Sequence, residues 1–308
     1  MFSPKQRSIH EKELILIINA AEGRLQFVLG RPGHTIEPSS GAAPLPVLPE
    51  ILVAEDWSAA SRGTELLAPA LDEALNNLKL NPTAIGKIAA VTGPGSFTGL
   101  RLATVTANAL ACALCAESSA IEYLPLLAAG VREAFGGIIP EYGTTWVLTH
   151  AGRGLVYVQG FIADGSGQEK STSLLALGLD ESIALLAEQN AGSGGGFLLG
   201  SGIAKNLDYF TRKLDGNFRF LPQSFNHPTP DLLFNTALNL RYAKNILSPI
   251  YARASDAEDN LPHIAAKLGL DPDFVQNRLR NLLGRQNPPG LRKRLQISAW
   301  KSEHQPPG

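Results

Sequence analysis

Apolar residues run unbroken from Leu14 to Ile18, three of them β-branched, and a run of this kind reads as a strand buried on both faces. The turn Asn19-Ala20-Ala21-Glu22-Gly23 and a second run, Arg24 to Leu29, complete a hairpin. Between Gly30 and Pro49 five prolines (Pro32, Pro38, Pro44, Pro46, Pro49) stand among Gly and Ser. Proline cannot donate to a ladder, so a long loop is expected there. Helical spacing returns with Leu66, Leu67, Ala70, Leu71, Ala74, Leu75 and Leu78, predicting a helix from near Arg62 to just before Asn81-Pro82. A short strand, Lys87 to Thr92, is broken by Gly93-Pro94-Gly95. Leu100 to Ala116 then reads as a second helix, apolar on nearly all sides, which must be buried in the fold or against a partner.

The order strand, strand, strand, helix, strand, helix recurs after residue 119. Tyr123 to Phe135 reads as helix, Thr145 to Thr149 and Leu155 to Ile162 as strands, Ser182 to Glu188 as helix and Phe197 to Gly200 as strand. Asp231 to Asn245 reads as one more helix, and Ser248 to Arg253 as extended chain, because Pro249 drives its predecessor out of the helical region. The run Ala191 to Gly196 reads as a surface turn and not a phosphate cradle, since no lysine follows it. A mixed α/β protein in two halves is expected, divided as 13–118 and 119–261. Residues 262–308 would carry a last helix, Phe274 to Leu283, and a mobile basic tail.

Composition narrows the function. With 44% apolar residues over 308 positions the chain can bury two cores, and 27 Lys+Arg against 28 Asp+Glu leave no basic excess for binding a polyanion over the whole surface. The basic residues near the end, Arg285, Arg292, Lys293, Arg294 and Lys301 beside Trp300, read as a solvated tail and not as a tRNA grip. The two cysteines, Cys112 and Cys115, fall three apart on the apolar helix and read as small buried core residues, consistent with a reducing cytoplasm. Met1 to Glu13 lacks the apolar core of a signal peptide, and Leu102 to Ala116 is too short for a membrane span, so no membrane association is expected.

The most informative element is the strand that leads through Gly93-Pro94-Gly95-Ser96-Phe97-Thr98-Gly99-Leu100-Arg101 into the apolar helix. Gly93, Gly95 and Gly99 let the backbone turn tightly and let another group come close, while Ser96 or Thr98 can cap the helix. The spacing matches neither a Walker A loop nor a dinucleotide fingerprint, in which Thr98 would have to be glycine.

This nine-residue segment resembles the signature of the TsaB family. Gly63-Thr64-Glu65-Leu66-Leu67-Ala68-Pro69 is similar to that family's His-Ser-Glu-x-Leu-x-Pro helix start. Ala151-Gly152-Arg153-Gly154-Leu155-Val156-Tyr157 resembles its Asp-Ala-Arg-Arg-Gly-Glu-Val-Tyr hairpin, and Pro249-Ile250-Tyr251-Ala252-Arg253 resembles its closing Pro-x-Tyr-Leu-Arg. The resemblance runs from about Leu14 to Leu261. It implies two actin-like (sugar-kinase/Hsp70, ribonuclease H-like) subdomains with mixed sheets flanked by helices. It further implies a non-catalytic scaffold subunit that binds and activates TsaD, the subunit that transfers threonylcarbamoyl to a tRNA adenosine. No cofactor and no metal are implied. TsaE and tRNA would be engaged only through the complex, and a homodimer would form when TsaD is absent.

On this resemblance the partner-binding residues are Thr64, Glu65, Leu66, Leu67 and Leu71 on the first helix. On the second they are Phe97, Thr98, Leu100, Arg101, Thr104 and Asn108. Gly93, Pro94, Gly95, Ser96 and Gly99 form the structural motif. The chain departs from the family pattern at Asn19, where many relatives have Asp, at Gly63 in place of His, at His150 in place of Asp and at Leu155 in place of Glu. Each change removes a titratable or ligating group. An active ATPase or peptidase-like enzyme of the same fold is the competing class. However, the six histidines (His10, His34, His150, His227, His263, His304) include no pair a helical turn apart, no Gly-x-Ser-x-Gly elbow is present, and Asp56, Glu65 and Asp72 read as surface carboxylates.

Overall fold

The computed structural model describes residues 12–36, 45–58, 62–135, 143–152, 154–163, 169–190, 195–214, 216–252, 261, 264–275 and 277–278. The chain divides into two compact units, Met1–Arg253 and Ala254–Gly308. All named strands and helices below belong to the first, and the second contributes short helical turns at 264–267 and 272–275.

Two sheets share one topology. The first is built from β1 (Leu14–Asn19), β2 (Leu25–Arg31), β5 (Glu50–Trp57), β6 (Ile85–Gly93) and β7 (Glu117–Glu122), in the order β5-β2-β1-β6-β7. β1 pairs antiparallel with β2, and β2 with β5, while β1-β6 and β6-β7 are parallel. The second contains β8 (Thr144–Gly152), β9 (Leu155–Ala163), β10 (Glu169–Ser171), β11 (Leu175–Gly178), β12 (Gly196–Leu199) and β13 (Phe218–Phe220). Its order is β10-β9-β8-β12-β13, with β11 also on β9. The directions repeat those of the first sheet: antiparallel on the β9 side, parallel on the β12 side. The predicted recurrence after residue 119 is therefore real. β7 closes the first sheet and spans the expected boundary between residues 118 and 119.

Helices fill the space around and between the sheets. α1 (Gly63–Asn77) and α2 (Phe97–Leu114) cover the outer face of the first sheet. Leu14, Leu16, Ile18, Leu67, Leu71, Leu75, Ala103 and Ala107 form that core. α3 (Tyr123–Phe135) and α7 (Pro230–Leu238) lie between the sheets and join Ile15, Ile17 and Val91 to Val147, Phe161 and Phe197 in one central core. α4 (Leu179–Asn190), α5 (Ser201–Lys205) and α6 (Leu207–Lys213) flank the second sheet around Trp146, Leu148 and Phe210. β1 is buried along its whole length because it is central in its sheet and covered on both faces. At about 1.5–3 kcal/mol for each large apolar side chain removed from water, it is a main contributor to the fold.

Several expectations are corrected. Residues 30–49 are not loop throughout, since β3 (His34–Ile36) and β4 (Leu45–Val47) form a separate two-stranded ladder. Pro46 is tolerated there because each strand of a two-stranded ladder keeps a free edge. The helix expected to run to Asn245 ends at Leu238. Beyond it Ala243 exchanges backbone hydrogen bonds with Ser118 of β7 (2.8 and 3.2 Å), so this stretch leaves the helical ladder for the sheet edge. Cys112 and Cys115 are exposed, not buried, because α2 turns its Ala103–Thr104–Ala107 side to the sheet and these two residues away from it. Cys115 takes the left-handed conformation (φ 50°) that ends α2, with its N–H and that of Ala116 closing on Cys112 and Ala111 carbonyls. Arg153, most of the Gly-rich run 191–196, Leu283, Arg253 and the basic tail lie outside the described residues.

Candidate functional site

The Gly93–Arg101 segment is shaped by the β1–β2 turn. A Cβ on Gly99 would stand 1.8 Å from the Ala20 carbonyl oxygen, and one on Gly95 would stand 2.0 Å from that of Ala21. The Ser96 N–H donates to the same Ala21 carbonyl at 2.5 Å. The group these glycines admit is therefore the chain's own backbone. Ser96 caps α2 by accepting from the Gly99 N–H (3.3 Å), and Gly93 holds φ 121°, open to glycine alone in practice.

Seated in this way, α2 faces two environments. Leu100 and Thr104 are buried (0% and 1% exposed), the Thr104 hydroxyl donating back to the Leu100 carbonyl at 2.8 Å. Asn108 is spent internally, since its side chain donates to the Leu247 carbonyl (2.9 Å) and accepts from the Leu247 N–H (2.8 Å). The outward side carries Phe97, Thr98, Arg101, Val105, Ala109 and Cys112, spaced about one helical turn apart. Phe97 is 40% and Val105 64% exposed. Among the described residues α2 alone is long and apolar enough to cross a membrane, yet its inner side is packed on β6 and β1. What stays unmatched is a narrow apolar strip facing outward.

Of the expected docking residues on α1, Thr64 and Glu65 are exposed and Leu66 is half-buried, whereas Leu67 and Leu71 are 2% and 6% exposed and belong to the core. Leu67, Leu71, Leu100 and Thr104 thus lie in the core beneath the outward side of these helices.

One residue beside this strip escapes the helix-by-helix reading. Tyr251 follows Ile250, whose N–H is bonded to the Thr92 carbonyl at the end of β6 (2.7 Å). Its ring is 5.2 Å from that of Phe97, and its hydroxyl accepts from Arg101 Nε at 3.1 Å across 150 residues of sequence. The Arg101 guanidinium lies 4.0 Å from the Phe97 ring centre. A half-exposed aromatic–guanidinium cluster therefore heads the apolar strip, the composition that carries most energy at protein interfaces.

Residues 57–170 match the family model described as TsaD: tRNA N6-adenosine threonylcarbamoyltransferase. A curated relative, the tRNA threonylcarbamoyladenosine biosynthesis protein TsaB of Bacillus subtilis, is 37% identical over 89 residues. That match spans 29% of this chain and 36% of the relative's length. Two solved structures from Pseudomonas aeruginosa share the fold. One is a protein described as similar to peptidase YeaZ (TM-score 0.55, 19% identity, 78% of this chain and 100% of that one). The other is YeaZ itself (TM-score 0.52, 18% identity, 78% and 99%).

The chain is similar to TsaB over the matched stretch and shares the fold of the YeaZ structures. Its α/β architecture of two like-ordered sheets is the fold of those structures, and two of the residues at which it departs from the TsaB pattern, Asn19 and Leu155, have their own side-chain roles. Asn19 uses both ends of its amide, accepting from the Ala21 N–H (3.0 Å) and donating to Gln26 Oε1 (2.7 Å). Gln26 in turn donates to Asp56 and to the Pro228 carbonyl. At Gly63 a Cβ would lie 2.6 Å from Leu102 Cδ2, so a side chain there would require the Leu102 tip to move aside. Leu155 packs at the edge of the central core, and His150 donates its backbone N–H to Ser201 Oγ (2.9 Å). Among the described residues no group of three or more His, Cys, Asp and Glu is placed to hold a metal ion.

Proposed function

We propose that this TsaB/YeaZ-like chain is the non-catalytic docking subunit that binds and activates TsaD in the threonylcarbamoylation of tRNA adenosine, in the cytoplasm. The observation that carries the reading is the outward strip of α2, with Val105 at its middle and the Phe97–Arg101–Tyr251 cluster at its head. A soluble helix seldom leaves such a strip in water without a partner for it. The similarity to TsaB, and of residues 57–170 to the TsaD family, supports a partner of related fold. Two related subdomains can pair helix to helix, and in the absence of TsaD the same strip can pair with itself about a two-fold axis. TsaE and tRNA are engaged through the complex.

The contribution is conformational. A subunit that binds one arrangement of its partner more tightly than another shifts the partner toward that arrangement without supplying a reacting group. Val105→Glu, which places a charge at the centre of the strip, tests this in a reconstituted threonylcarbamoylation assay with TsaD, TsaE, ATP, tRNA and threonylcarbamoyl-adenylate as the donor. The expected result is loss of both TsaD binding and turnover from a normally folded variant. Full turnover by the variant, or turnover by this chain alone, overturns the reading.

A further inference from the structure

Glu22 takes no part in the docking face, yet it is among the most deeply buried carboxyls of the chain, at 9% exposed. It sits on the β1–β2 turn of the first half and reaches across to the second. Ser201 Oγ, at the start of α5, donates to Glu22 Oε1 at 2.5 Å while accepting from the His150 N–H at the end of β8. The Tyr123 hydroxyl, at the start of α3, stands 3.5 Å from Glu22 Oε2.

We propose that the seam between the two sheets is a pH-responsive latch, closed when Glu22 is the neutral acid bonded to Ser201 and Tyr123 and loosened when Glu22 becomes a carboxylate.

Proton bookkeeping favours the neutral form. Tyr123 has one hydroxyl proton and three neighbours: the Asn226 carbonyl (3.2 Å), Glu22 Oε2 and His227 Nδ1 (3.5 Å). Given to the Asn226 carbonyl, that proton leaves a tyrosine lone pair to accept from a protonated Glu22, so the Asn226 carbonyl and both Glu22 oxygens are engaged, Oε1 by Ser201. If Glu22 ionises, it competes for the same proton, and the loser is a buried acceptor without a donor.

The charged surroundings offer little compensation. α5 contributes Lys205, whose charge acts on Glu22, but no ion pair reaches Glu22 among the described residues. Arg24 on the β2 side is bound to Asp56 of β5 at 2.7 Å. Burial, and after it the nearby Arg24, holds His227 below the usual histidine range, so it brings no cation to the seam at neutral pH. Tyr123 is held well above the usual tyrosine range by its own burial and by Glu22. The remaining neighbour, His150, meets the cluster through its backbone amide.

Burial therefore outweighs the bonds from Ser201, the His150 amide and Tyr123 and raises Glu22 from 4.5 to about 7. A carboxyl raised on closing binds its proton more tightly in the closed state. Its contribution is complete below about 4.5, declines as pH rises and is gone above about 7.

The test is backbone hydrogen exchange on the full chain at pH 5 to 8, corrected for intrinsic rates, read at His150, Gly200 and Ser201. Protection at these amides should fall by about 10- to 100-fold across the range. Glu22→Gln, which cannot ionise, should stay protected throughout. Equal pH dependence in Glu22→Gln, or a loss of protection spread evenly over the chain, overturns the latch. Should Glu22→Gln fail to fold, Ser201→Ala decides. Removing a hydrogen bond that favours the ionised form must move the midpoint to higher pH, and an unmoved midpoint overturns the proposal. None of these readouts involves TsaD, so the latch and the docking function stand or fall separately.

Discussion

Gly99 shows how little room the signature segment leaves. Any side chain there strikes the Ala20 carbonyl, so Gly99→Ala must push the start of α2 away from the β1–β2 turn. The expected cost is about 1–3 kcal/mol or more, measurable as a lowered urea midpoint with unchanged m-value. Asn19 makes a sharper point. An aspartate here would face a carboxylate toward Gln26 Oε1, whose own amide is already committed to Asp56 and the Pro228 carbonyl. Asn19→Asp should therefore destabilise the chain at pH 7 by about 1–3 kcal/mol and recover part of that loss on acidification, as the new carboxyl protonates. A flat difference between the two proteins from pH 4 to pH 8 would contradict this account. The tight turn and a cap at Ser96 or Thr98 were readable from residue types alone, and the structure assigns the cap to Ser96. The turn's close neighbour was not readable, because Ala20 and Ala21 carry no side-chain signal and contribute only carbonyls.

At the scale of the element, the proposed function rests on α2. Its existence followed from an apolar run without proline, but its orientation did not, since a helix apolar on nearly all sides has no strong moment to mark a core face. Hence Cys112 and Cys115 read as buried and prove exposed, while the hold of Asn108 on Leu247 carried no sign in the local sequence. Orientation comes from the sheet, which takes the small residues Ala103, Thr104 and Ala107. A graded experiment follows. Val105→Glu should leave stability within about 0.5 kcal/mol of the parent while abolishing partner binding. Leu71→Glu buries an unpaired charge and should cost about 3 kcal/mol or more, losing binding only through loss of the fold. Asn108→Ala should cost about 1–3 kcal/mol by freeing both backbone groups of Leu247, with binding retained at temperatures where the chain stays folded. Thermal melts run beside a pull-down separate the three cases.

For the whole molecule, the repeat of strand order in two sheets was visible as a recurring rhythm of apolar runs, blurred where short elements such as β13, α5 and α6 carry too few residues for a period to register. Long-range assembly was not visible. The Pro249–Arg253 segment reads locally as mere extended chain, and only the fold brings Tyr251 onto Phe97 and Arg101. The sequence motifs are in this sense parts of one surface: the glycine segment seats α2, α1 supports it from the side, and the late motif supplies the aromatic that completes its head. Such a surface has value to the molecule only when something covers it. Light scattering on a size-exclusion column, with the purified chain mixed with TsaD from the same organism, asks this directly. The account predicts a heteromeric peak that Val105→Glu abolishes. Separate peaks for the two parent proteins, or a heteromer indifferent to Val105→Glu, would contradict it.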